Sequence, residues 1–561
     1  MSVRSAEPLP VRQRGACLLR DPALNKGTAF TREERDALGL TGLLPPRVST
    51  LGEQVARVAE SFRAEPTALD RYLYLRGLQD RNETLFFAAL MRHLEEMAPI
   101  IYTPTVAEAV QRFSHIFRSS RGLYITPDSV GQVEQMLRNA AAGEVGVIVC
   151  TDNEGILGIG DQGVGGIGIP IGKLALYVAA GGFAPSACLP VCLDVGTENE
   201  QLLSDPAYLG VRSHRLDDAA YVQFIDAFVH GTHRVWPRAV LQWEDFSRER
   251  AFGNLDHYRE LHPSFNDDIQ GTAAVVHAAL LGALRLAGRR FAEETICIVG
   301  AGDAGVGVGM GLIAALCADG VPADEAHARV HAFDTKGLVV GDRPSLPLYK
   351  RRIAMAPEAV RDWDGTPEHT TLQEVIEHAR PGVLIGLSGR PGSLDEATVR
   401  LMAAHCERPV ILALSNPSAN VDAHPHDLVR WTGGRAIVAT GSPFEAFDHA
   451  GRVHRFSQAN NVYVFPGLGA GAHLSGARRI TDAMLVAAGT AVHAALEPAH
   501  LQAGLVLPPL GELRPVAIRV AAATWRAAAA EGVAAVSPPP DAEAHIAVWQ
   551  YVPEYRPYVP A

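Results

Sequence analysis

A glycine-rich turn constrains the fold of this chain more than any other sequence feature. The turn, Gly300-Ala-Gly302-Asp-Ala-Gly305, follows the apolar run Thr295–Val299 and opens a helix-like segment, Ala304–Cys317. A strand, a GxGxxG turn and a helix in this order are typical of a dinucleotide-binding unit, in which backbone amides at the start of the helix face the diphosphate. A structural glycine turn is the alternative. The residues predicted to bind the dinucleotide here are Gly300, Gly302, Asp303, Ala304 and Gly305.

Asp334 is the candidate for recognising the ribose of that dinucleotide. It ends the next apolar run, Val330–Phe333, although its distance from the turn exceeds the usual spacing of about twenty residues, which we attribute to a loop at Ala318–Ala328. A carboxylate accepts ribose hydroxyls and repels a 2′-phosphate, so it favours NAD over NADP. Basic residues that could bind a phosphate, or form a solvated charged face, follow closely: Lys336, Arg343, Lys350, Arg351 and Arg352.

Short apolar runs on both sides of this turn indicate an α/β fold with parallel sheets. They are Val145–Cys150, Ile156–Ile159, Leu189–Leu193, Val240–Trp243, Val383–Leu387, Val410–Leu414 and Ala436–Thr440. Residues 1–120 instead keep apolar side chains at helical spacing, and Thr31-Arg-Glu-Glu34 is typical of a capping box. With 561 residues, the chain predicts several domains: a helical one, an α/β domain from residue 121, and a doubly wound one. Beyond Val536, the run Pro538-Pro-Pro540 predicts an extended tail.

The net charge of the chain limits the classes of partner that it is expected to bind. A formal charge of -12 argues against a dedicated nucleic-acid or anionic-membrane binder, and favours small-molecule ligands. Glycine and proline interrupt the longest uncharged stretch, Leu174–Leu193, so we assign no transmembrane helix. Seven cysteines without a paired CxxC arrangement, and no apolar segment typical of a signal peptide, predict a cytoplasmic protein with reduced cysteines.

A second GxGxxG, Gly158-Ile-Gly160-Asp-Gln-Gly163, lies in a different context. It follows the turn sequence Asp152–Gly155, and the glycines before Pro170 delay any helix. We therefore interpret it as a loop that closes around a ligand rather than as a second dinucleotide site.

Two carboxylate pairs lie about twenty residues apart at the ends of apolar segments. The first is in Trp243-Glu244-Asp245-Phe246 and the second in Phe265-Asn-Asp267-Asp268-Ile269. A cation that prefers oxygen ligands, such as Mg²⁺ or Mn²⁺, would offset their mutual repulsion. Helix capping explains the spacing equally well.

Lys173 and Tyr102 are candidates for proton transfer. Apolar residues flank Lys173 in Pro170–Leu174, so burial could lower its pKa into the range of a general base; a structural lysine is the alternative. Tyr102 closes the helical region in Ile100–Thr105, where core packing is the commoner role of a single tyrosine.

A series of motifs runs in order along nearly the whole chain: Asp21–Phe30, Gly42–Pro46, Tyr102–Val106, Gly158–Gly163, Ile169–Lys173, Leu193–Thr197, Glu244–Phe246, Phe265–Thr272, Leu414–Pro417, Thr440–Phe444 and Asn460–Gly467. In these motifs the chain resembles the malic enzymes of the large-subunit type, which decarboxylate malate oxidatively. The resemblance implies an α/β fold with a helical N-terminal domain (1–120), an α/β domain with a parallel sheet (121–266, completed by 461–526), an inserted Rossmann-type NAD-binding domain (267–460) and an extended C-terminal tail (527–561).

The resemblance also implies roles for individual residues. Glu244, Asp245 and Asp268 match the family's ligands for Mg²⁺ or Mn²⁺, Lys173 its general base, Asp267 the partner of that lysine, and Tyr102 its general acid. Around the substrate it implies Gly155, Leu157, Asn416, Asn460 and Asn461, of which Asn416 and Asn461 also face the nicotinamide of NAD. Malate and pyruvate are the implied ligands, and a homodimer or homotetramer is the implied assembly.

Gly155 departs from the malic enzyme pattern. Most members carry an arginine there that helps to bind the C1 carboxylate of malate, so Gly155→Arg is expected to tighten malate binding. Glycine at this place resembles the malolactic enzymes, which convert malate into lactate and CO₂ with retained NAD, whereas Gly168-Ile-Pro170 and Asp194-Val-Gly196 follow the malic pattern. Pyruvate is the expected product and lactate the alternative. Arginines matching an acidic-effector site, Arg57 and Arg81, are explained equally well by surface salt bridges.

Overall fold

The computed structural model describes residues 7–141, 143–156, 158–361, 363 and 370–561. A parallel five-stranded sheet and a largely parallel seven-stranded sheet, each covered by helices, form most of the fold, which confirms the predicted α/β class. Leu157 lies outside the described residues.

The N-terminal region is helical, as predicted. After strand β1 (Leu9–Val11) its helices are α1 (Gly15–Leu19), α2 (Arg32–Ala37), α3 (Leu51–Ala64), α4 (Ala68–Gln79), α5 (Glu83–Arg92), α6 (Leu94–Ile101), α7 (Thr105–Gln111) and α8 (Phe113–Ile116). The predicted capping box is confirmed, because the Thr31 side chain accepts from the backbone N–H of Glu34 and the Glu34 side chain accepts from that of Thr31. Glu34 also accepts from the buried ammonium of Lys26.

The first sheet has five parallel strands in the order β2-β4-β3-β5-β6. They are β2 (Leu123–Ile125), β3 (Val147–Thr151), β4 (Cys188–Leu193), β5 (Val240–Trp243) and β6 (Ser264–Asn266). The helices of this region are α9 (Val133–Ala140), α10 (Gly168–Leu176), α11 (Glu200–Ser204), α12 (Asp218–Val235) and α13 (Arg248–Tyr258). The strand expected at Ile156–Ile159 is wrong, because the glycines there form a turn in which Ile156 makes one isolated bridge to Gly160.

Helix α14 (Thr272–Ala287) leads from the first sheet to a second, seven-stranded sheet in the order β15-β12-β11-β10-β7-β8-β9. Its strands are β7 (Ile296–Val299), β8 (Val330–Asp334), β9 (Gly337–Leu338), β10 (Val383–Gly386), β11 (Val410–Ala413), β12 (Ile437–Thr440) and β15 (Ser457–Gln458), and only the β8–β9 pair is antiparallel. A hairpin of β13 (Phe447–His449) and β14 (Arg452–His454) precedes β15. The helices are α15 (Asp303–Ala318), α16 (Ala323–Ala328), α17 (Leu372–Ala379), α18 (Glu396–His405) and α19 (Pro425–Trp431). The stretch expected to be a loop therefore contains a helix, α16.

The chain then returns to the first sheet. Helices α20 (Phe465–Ser475), α21 (Asp482–Ala494), α22 (Pro498–Gln502) and α23 (Leu513–Ala530) follow, and α20 contacts β5. The prediction of a wholly extended tail is wrong: α24 (Ala542–Trp549) forms there, because Asp541 caps it and Ala542 and Ile546 are buried. Strand β16 (Tyr558–Pro560) then pairs in parallel with β1.

Among the residues that the structure describes, two helical runs are long and apolar enough to cross a membrane by length and composition, residues 163–181 and 267–287. Their apolar windows are 100% and 78% buried inside the protein, as expected for core helices. The second run begins at the carboxylate pair Asp267-Asp268, and each run contains a π-helical turn, Tyr177–Gly181 and Asp267–Gly271.

Candidate functional site

The two carboxylate pairs meet because the strands that precede them are neighbours. β5 and β6 run in parallel with Trp243 opposite Asn266, so the residues that follow leave the sheet at the same edge. The carboxyl edge of an open parallel sheet is where α/β proteins usually bind ligands.

Three of these carboxylates form a cluster that could hold a metal ion. One side-chain oxygen each from Glu244, Asp245 and Asp268 lies within 4.8 Å of the others. The backbone N–H of Asp245 donates to Oδ2 of Asp268 at 2.8 Å, and Asp245 takes a left-handed backbone conformation with φ 56°. Burial raises the pKa of Glu244 and of Asp268, and a bound cation would favour the charged form of both carboxylates. The donor set therefore fits Mg²⁺ or Mn²⁺.

Lys173 lies against this cluster from α10. Its ammonium, 1% exposed, pairs with both Glu244 and Asp267. The expectation that burial lowers the pKa of Lys173 is wrong for this arrangement. Burial does act in that direction, but the Asp267 and Glu244 carboxylates outweigh it and hold this pKa well above its usual range.

Tyr102 reaches the same place from the end of α6. Its ring lies 5.7 Å from the Lys173 ammonium, and Gly172 permits this approach, since a Cβ there would come within 3.2 Å of the Tyr102 Cδ2. Burial raises the pKa of the Tyr102 hydroxyl well above its usual range. Tyr102 therefore keeps its proton until a strong base is formed nearby.

Residues that the sequence analysis missed hold these side chains in place. Gln242 Nε2 donates to Glu244 at 3.0 Å, and Tyr177 donates to Gln242 Oε1 at 2.6 Å. A polar Gln242 inside the apolar run Val240–Trp243 was a visible signal. Thr272, which donates to the backbone oxygen of Asp267 at 3.3 Å, had no such signal.

The three predicted asparagines lie on two different segments, Asn416 after β11 and Asn460 and Asn461 before α20. Asn461 Nδ2 donates to the side chain of Asp267 at 3.1 Å, which brings it into the cluster. Asn460 instead accepts from the backbone of Val462 at 3.0 Å. Asn416 accepts from Ser442 at 2.7 Å, and the following Pro417 lies against Gly158, where a Cβ would meet its Cδ at 3.0 Å. The second glycine motif thus faces a loop of the seven-stranded sheet.

The turn after β7 has the shape of a phosphate-binding loop. Gly300 has φ 113°, and a Cβ on Gly305 would lie 1.8 Å from the Gly300 oxygen, so both positions need glycine. At Gly302 the nearest atom to such a Cβ is 3.8 Å away, which leaves the backbone open to a ligand. Helix α15 starts at Asp303, directly after this opening, and continues through Ala304. This cradle fits the diphosphate of a dinucleotide.

The Asp334 carboxylate, which is the predicted ribose ligand, already has two cationic partners. Arg343 donates two hydrogen bonds to its carboxylate, at 2.6 and 3.1 Å, and Lys350 pairs with it as well. Although burial acts in the opposite direction, these cations lower the pKa of Asp334. Arg343 and Lys350 therefore neutralise Asp334 rather than lying on a solvated face, and the ribose-binding role of Asp334 stays a prediction in which a ribose would share the carboxylate with these two cations.

Gly155 is tightly packed. A Cβ there would lie 2.3 Å from the backbone oxygen of Phe246, and its N–H donates to the oxygen of Asp245 at 2.8 Å. The expected benefit of Gly155→Arg is thus corrected, because any side chain must displace the segment that carries Asp245. Arg57 hydrogen-bonds Thr28 at 3.0 Å, and the backbone oxygen of Arg81 accepts from Asn25 at 2.8 Å.

Comparisons with known proteins agree on one family. Residues 79–259 match the model "Malic enzyme, N-terminal domain", and residues 269–529 match "Malic enzyme, NAD binding domain". The chain is 45% identical to an NAD-dependent malic enzyme of Sodalis glossinidius over 558 residues, which covers 100% of this chain and 99% of that protein. It is 46% identical to one of Edwardsiella ictaluri, with 94% of each chain covered.

Solved structures agree in fold. The crystal structure of malic enzyme from Pyrococcus horikoshii matches with a TM-score of 0.54 at 24% identity, covering 81% of this chain and 89% of that one. That of Entamoeba histolytica malic enzyme matches with a TM-score of 0.53 at 22% identity, covering 92% and 90%.

Proposed function

This chain belongs to the malic enzyme family, and we propose that it oxidises and decarboxylates (S)-malate to pyruvate and CO₂ while reducing NAD to NADH, with Mg²⁺ or Mn²⁺ as a required metal. One observation supports the proposal most strongly. The ion pair Lys173–Asp267 lies at the same edge of the five-stranded sheet as the carboxylate cluster that could hold a metal ion. The names of its relatives support NAD as the cofactor.

Lys173 is the proton acceptor in this proposal. The ammonium of Lys173 pairs with Glu244 and Asp267, and a divalent cation held by the carboxylate cluster would take over as the counter-charge of Glu244 and so favour the neutral lysine. The neutral lysine would accept the proton of the C2 hydroxyl during the oxidation of malate, and the Asp267 carboxylate would stabilise the resulting ammonium. Asn461 holds Asp267 in position for this task.

Tyr102 is the proton donor. After CO₂ has left, C3 needs a proton, and the protonated Tyr102 beside Lys173 supplies it. The Lys173 ammonium returns a proton to Tyr102, so the hydroxyl proton of malate ends on C3 and no net proton is released. A divalent metal, when bound by Glu244, Asp245 and Asp268, supplies positive charge against the negative charge that develops on substrate oxygens.

The decisive experiment measures products and metal dependence together. Wild type with malate, NAD and Mn²⁺ should form pyruvate and NADH in equal amounts, and a chelator should abolish turnover. Asp245→Asn should need far more Mn²⁺, whereas Asp256→Asn, which removes a carboxylate of α13 that pairs with Arg352, should behave as wild type. Full activity of Asp245→Asn in metal-free buffer would contradict the metal assignment.

The malolactic reaction is a second candidate, because glycine at position 155 resembles the malolactic enzymes. Without an arginine at this position, no side chain there can bind a carboxylate of the substrate. We expect weak malate binding and early release of pyruvate, which favours the malic enzyme reaction over the malolactic one. Chromatography that finds lactate in proportion to consumed malate, with no NADH accumulating, would establish the malolactic alternative.

We further propose a cytoplasmic location and a homodimer or homotetramer. Both rest on the sequence analysis: the cysteine pattern for the location and the family resemblance for the assembly. Light scattering coupled to size-exclusion chromatography gives the oligomeric state directly.

A further inference from the structure

Arg248 links the carboxylate cluster to the glycine loop. It is the first residue of α13, directly after the segment Glu244–Ser247, and its side chain is 61% exposed. Its Nε lies 3.4 Å from Oδ1 of Asp303, across the cleft on the first turn of α15. Arg248 also lies close to the side chain of Tyr349, which belongs to the seven-stranded sheet region. One arginine thus reaches two elements of the opposite domain.

The guanidinium of Arg248 faces the opening in the glycine loop. Its Nη2 lies 3.8 Å and its Cζ 3.9 Å from the place that a Cβ on Gly302 would occupy. That place is where the loop backbone is open to a diphosphate. Gly155 contributes to this placement, because its lack of a side chain lets the backbone of Phe246 pack closely behind the segment that carries Arg248.

The charges of Asp303 and of a bound diphosphate would favour a cation at the position of Arg248. A diphosphate brings two negative charges to a loop that already bears Asp303, whose pKa burial raises to about 7. Repulsion between that carboxylate and the phosphates needs an opposing cation, and Arg248 is within reach of both. A guanidinium is also well suited to phosphate, since it offers donors in a planar fork.

We propose that Arg248 is a cofactor-binding residue, which donates to the diphosphate of the nicotinamide dinucleotide and offsets the charge of Asp303. This inference rests on the proposed function, since it assumes that the glycine loop binds NAD. The segment that carries the candidate metal ligands Glu244 and Asp245 would therefore also contact the cofactor, through Arg248.

Fluorescence titration with NADH tests the proposal, with Arg352→Gln as the matched control. Arg352 also bridges the domains through α13, where it pairs with Asp256 and lies over the ring of Phe252 at 5.2 Å. Arg248→Gln should weaken NADH binding by about 10- to 100-fold, the scale of one charge-assisted hydrogen bond, and should weaken ADP similarly but not adenosine. Arg248→Lys should recover part of the loss, and Arg352→Gln should bind NADH as wild type does.

Three outcomes would overturn the inference. NADH affinity unchanged in Arg248→Gln would remove its basis, as would an equal loss in Arg352→Gln, which would mean that any bridge between the domains has this effect. Equal weakening of ADP and adenosine would exclude the diphosphate as the point of contact. Wild type that binds no NADH would instead overturn the proposed function, and this inference with it.

Discussion

The carboxyl edges of the two parallel sheets are built from different residues. At the five-stranded sheet, four strands are each followed by a buried carboxylate: Asp152, Asp194, Glu244 and Asp267. At the seven-stranded sheet, β7 and β12 are followed by Gly300 and Gly441. The same architectural position is therefore highly charged in one domain and formed largely by backbone in the other.

This difference shows how ligand chemistry selects residues at equivalent positions. A metal ion and a reacting hydroxyl need carboxylates and a proton carrier, and buried charges of this kind must be paired, as Lys173 is with Asp267. A diphosphate needs backbone N–H groups and room to approach them. Where the second sheet does carry a carboxylate, at Asp334, two cations neutralise it.

The largest effect is expected at the charged edge. Tyr102→Phe removes the proton donor for C3 and should lower turnover by about 10²- to 10⁴-fold, and Lys173→Ala should lower it as far or further. Because Lys173→Ala also leaves Asp267 and Glu244 without their counter-ion, it should reduce thermal stability too, whereas Tyr102→Phe should not. Steady-state kinetics and thermal unfolding measure the two effects.

NADH titration supplies the control for both variants, since the glycine loop is intact in each. If either kept turnover within about tenfold of wild type, another residue would perform that proton transfer.

A smaller effect separates two glycines at the backbone edge. Gly302→Ala places a methyl group where the diphosphate approaches and should weaken NADH binding by about tenfold or more with unchanged stability. Gly305→Ala drives a Cβ to within 1.8 Å of the Gly300 oxygen and should also destabilise the protein, by about 1–3 kcal/mol. Calorimetry and NADH titration distinguish the two. Equal stability losses would show that Gly302 is structural, against the proposed contrast between the edges.

An effect on acid stability is common to both regions. Burial lowers the pKa of His262, behind the five-stranded sheet, and of His331, on β8, to about 4 in each case. The unfolded chain binds these protons already near the ordinary pKa of 6.5, so the stabilisation is complete above pH 6.5 and is lost as the pH falls towards 4. The slope is about 1.4 kcal/mol per pH unit for each histidine.

Urea unfolding across this pH range measures that slope. His262→Gln and His331→Gln should each reduce it by a similar amount. A reduction in only one variant would show that the two regions differ in acid sensitivity as well as in edge chemistry.

The sequence was sufficient where local pattern decides the structure. The strand at Val240–Trp243 and the helix after Gly302 were predictable because apolar runs and glycine turns are local signals. The direction of the Lys173 pKa was not, since it depends on Asp267, 94 residues away. The pairing of Asp334 with Lys350, 16 residues further along the chain, was not predictable from a local pattern either. The helix at Ala542–Trp549 was obscured by the prolines before it, although its buried side chains determine its conformation.

The pairing of β1 with β16 has a consequence for synthesis. A small apolar cluster of Val11, Leu18, Phe30, Leu38, Leu40 and Tyr558 joins the two strands, and Lys26 donates to the backbone oxygen of Arg556, 530 residues further along the chain. At about 5–20 residues per second, a ribosome needs roughly half a minute or longer to make that partner. During this time the apolar residues of the cluster lack Tyr558, and Lys26 lacks the backbone oxygen of Arg556 as a hydrogen-bond acceptor. Slower translation of the chain up to residues 556–560 therefore lengthens the time for which this apolar cluster lacks its partner strand.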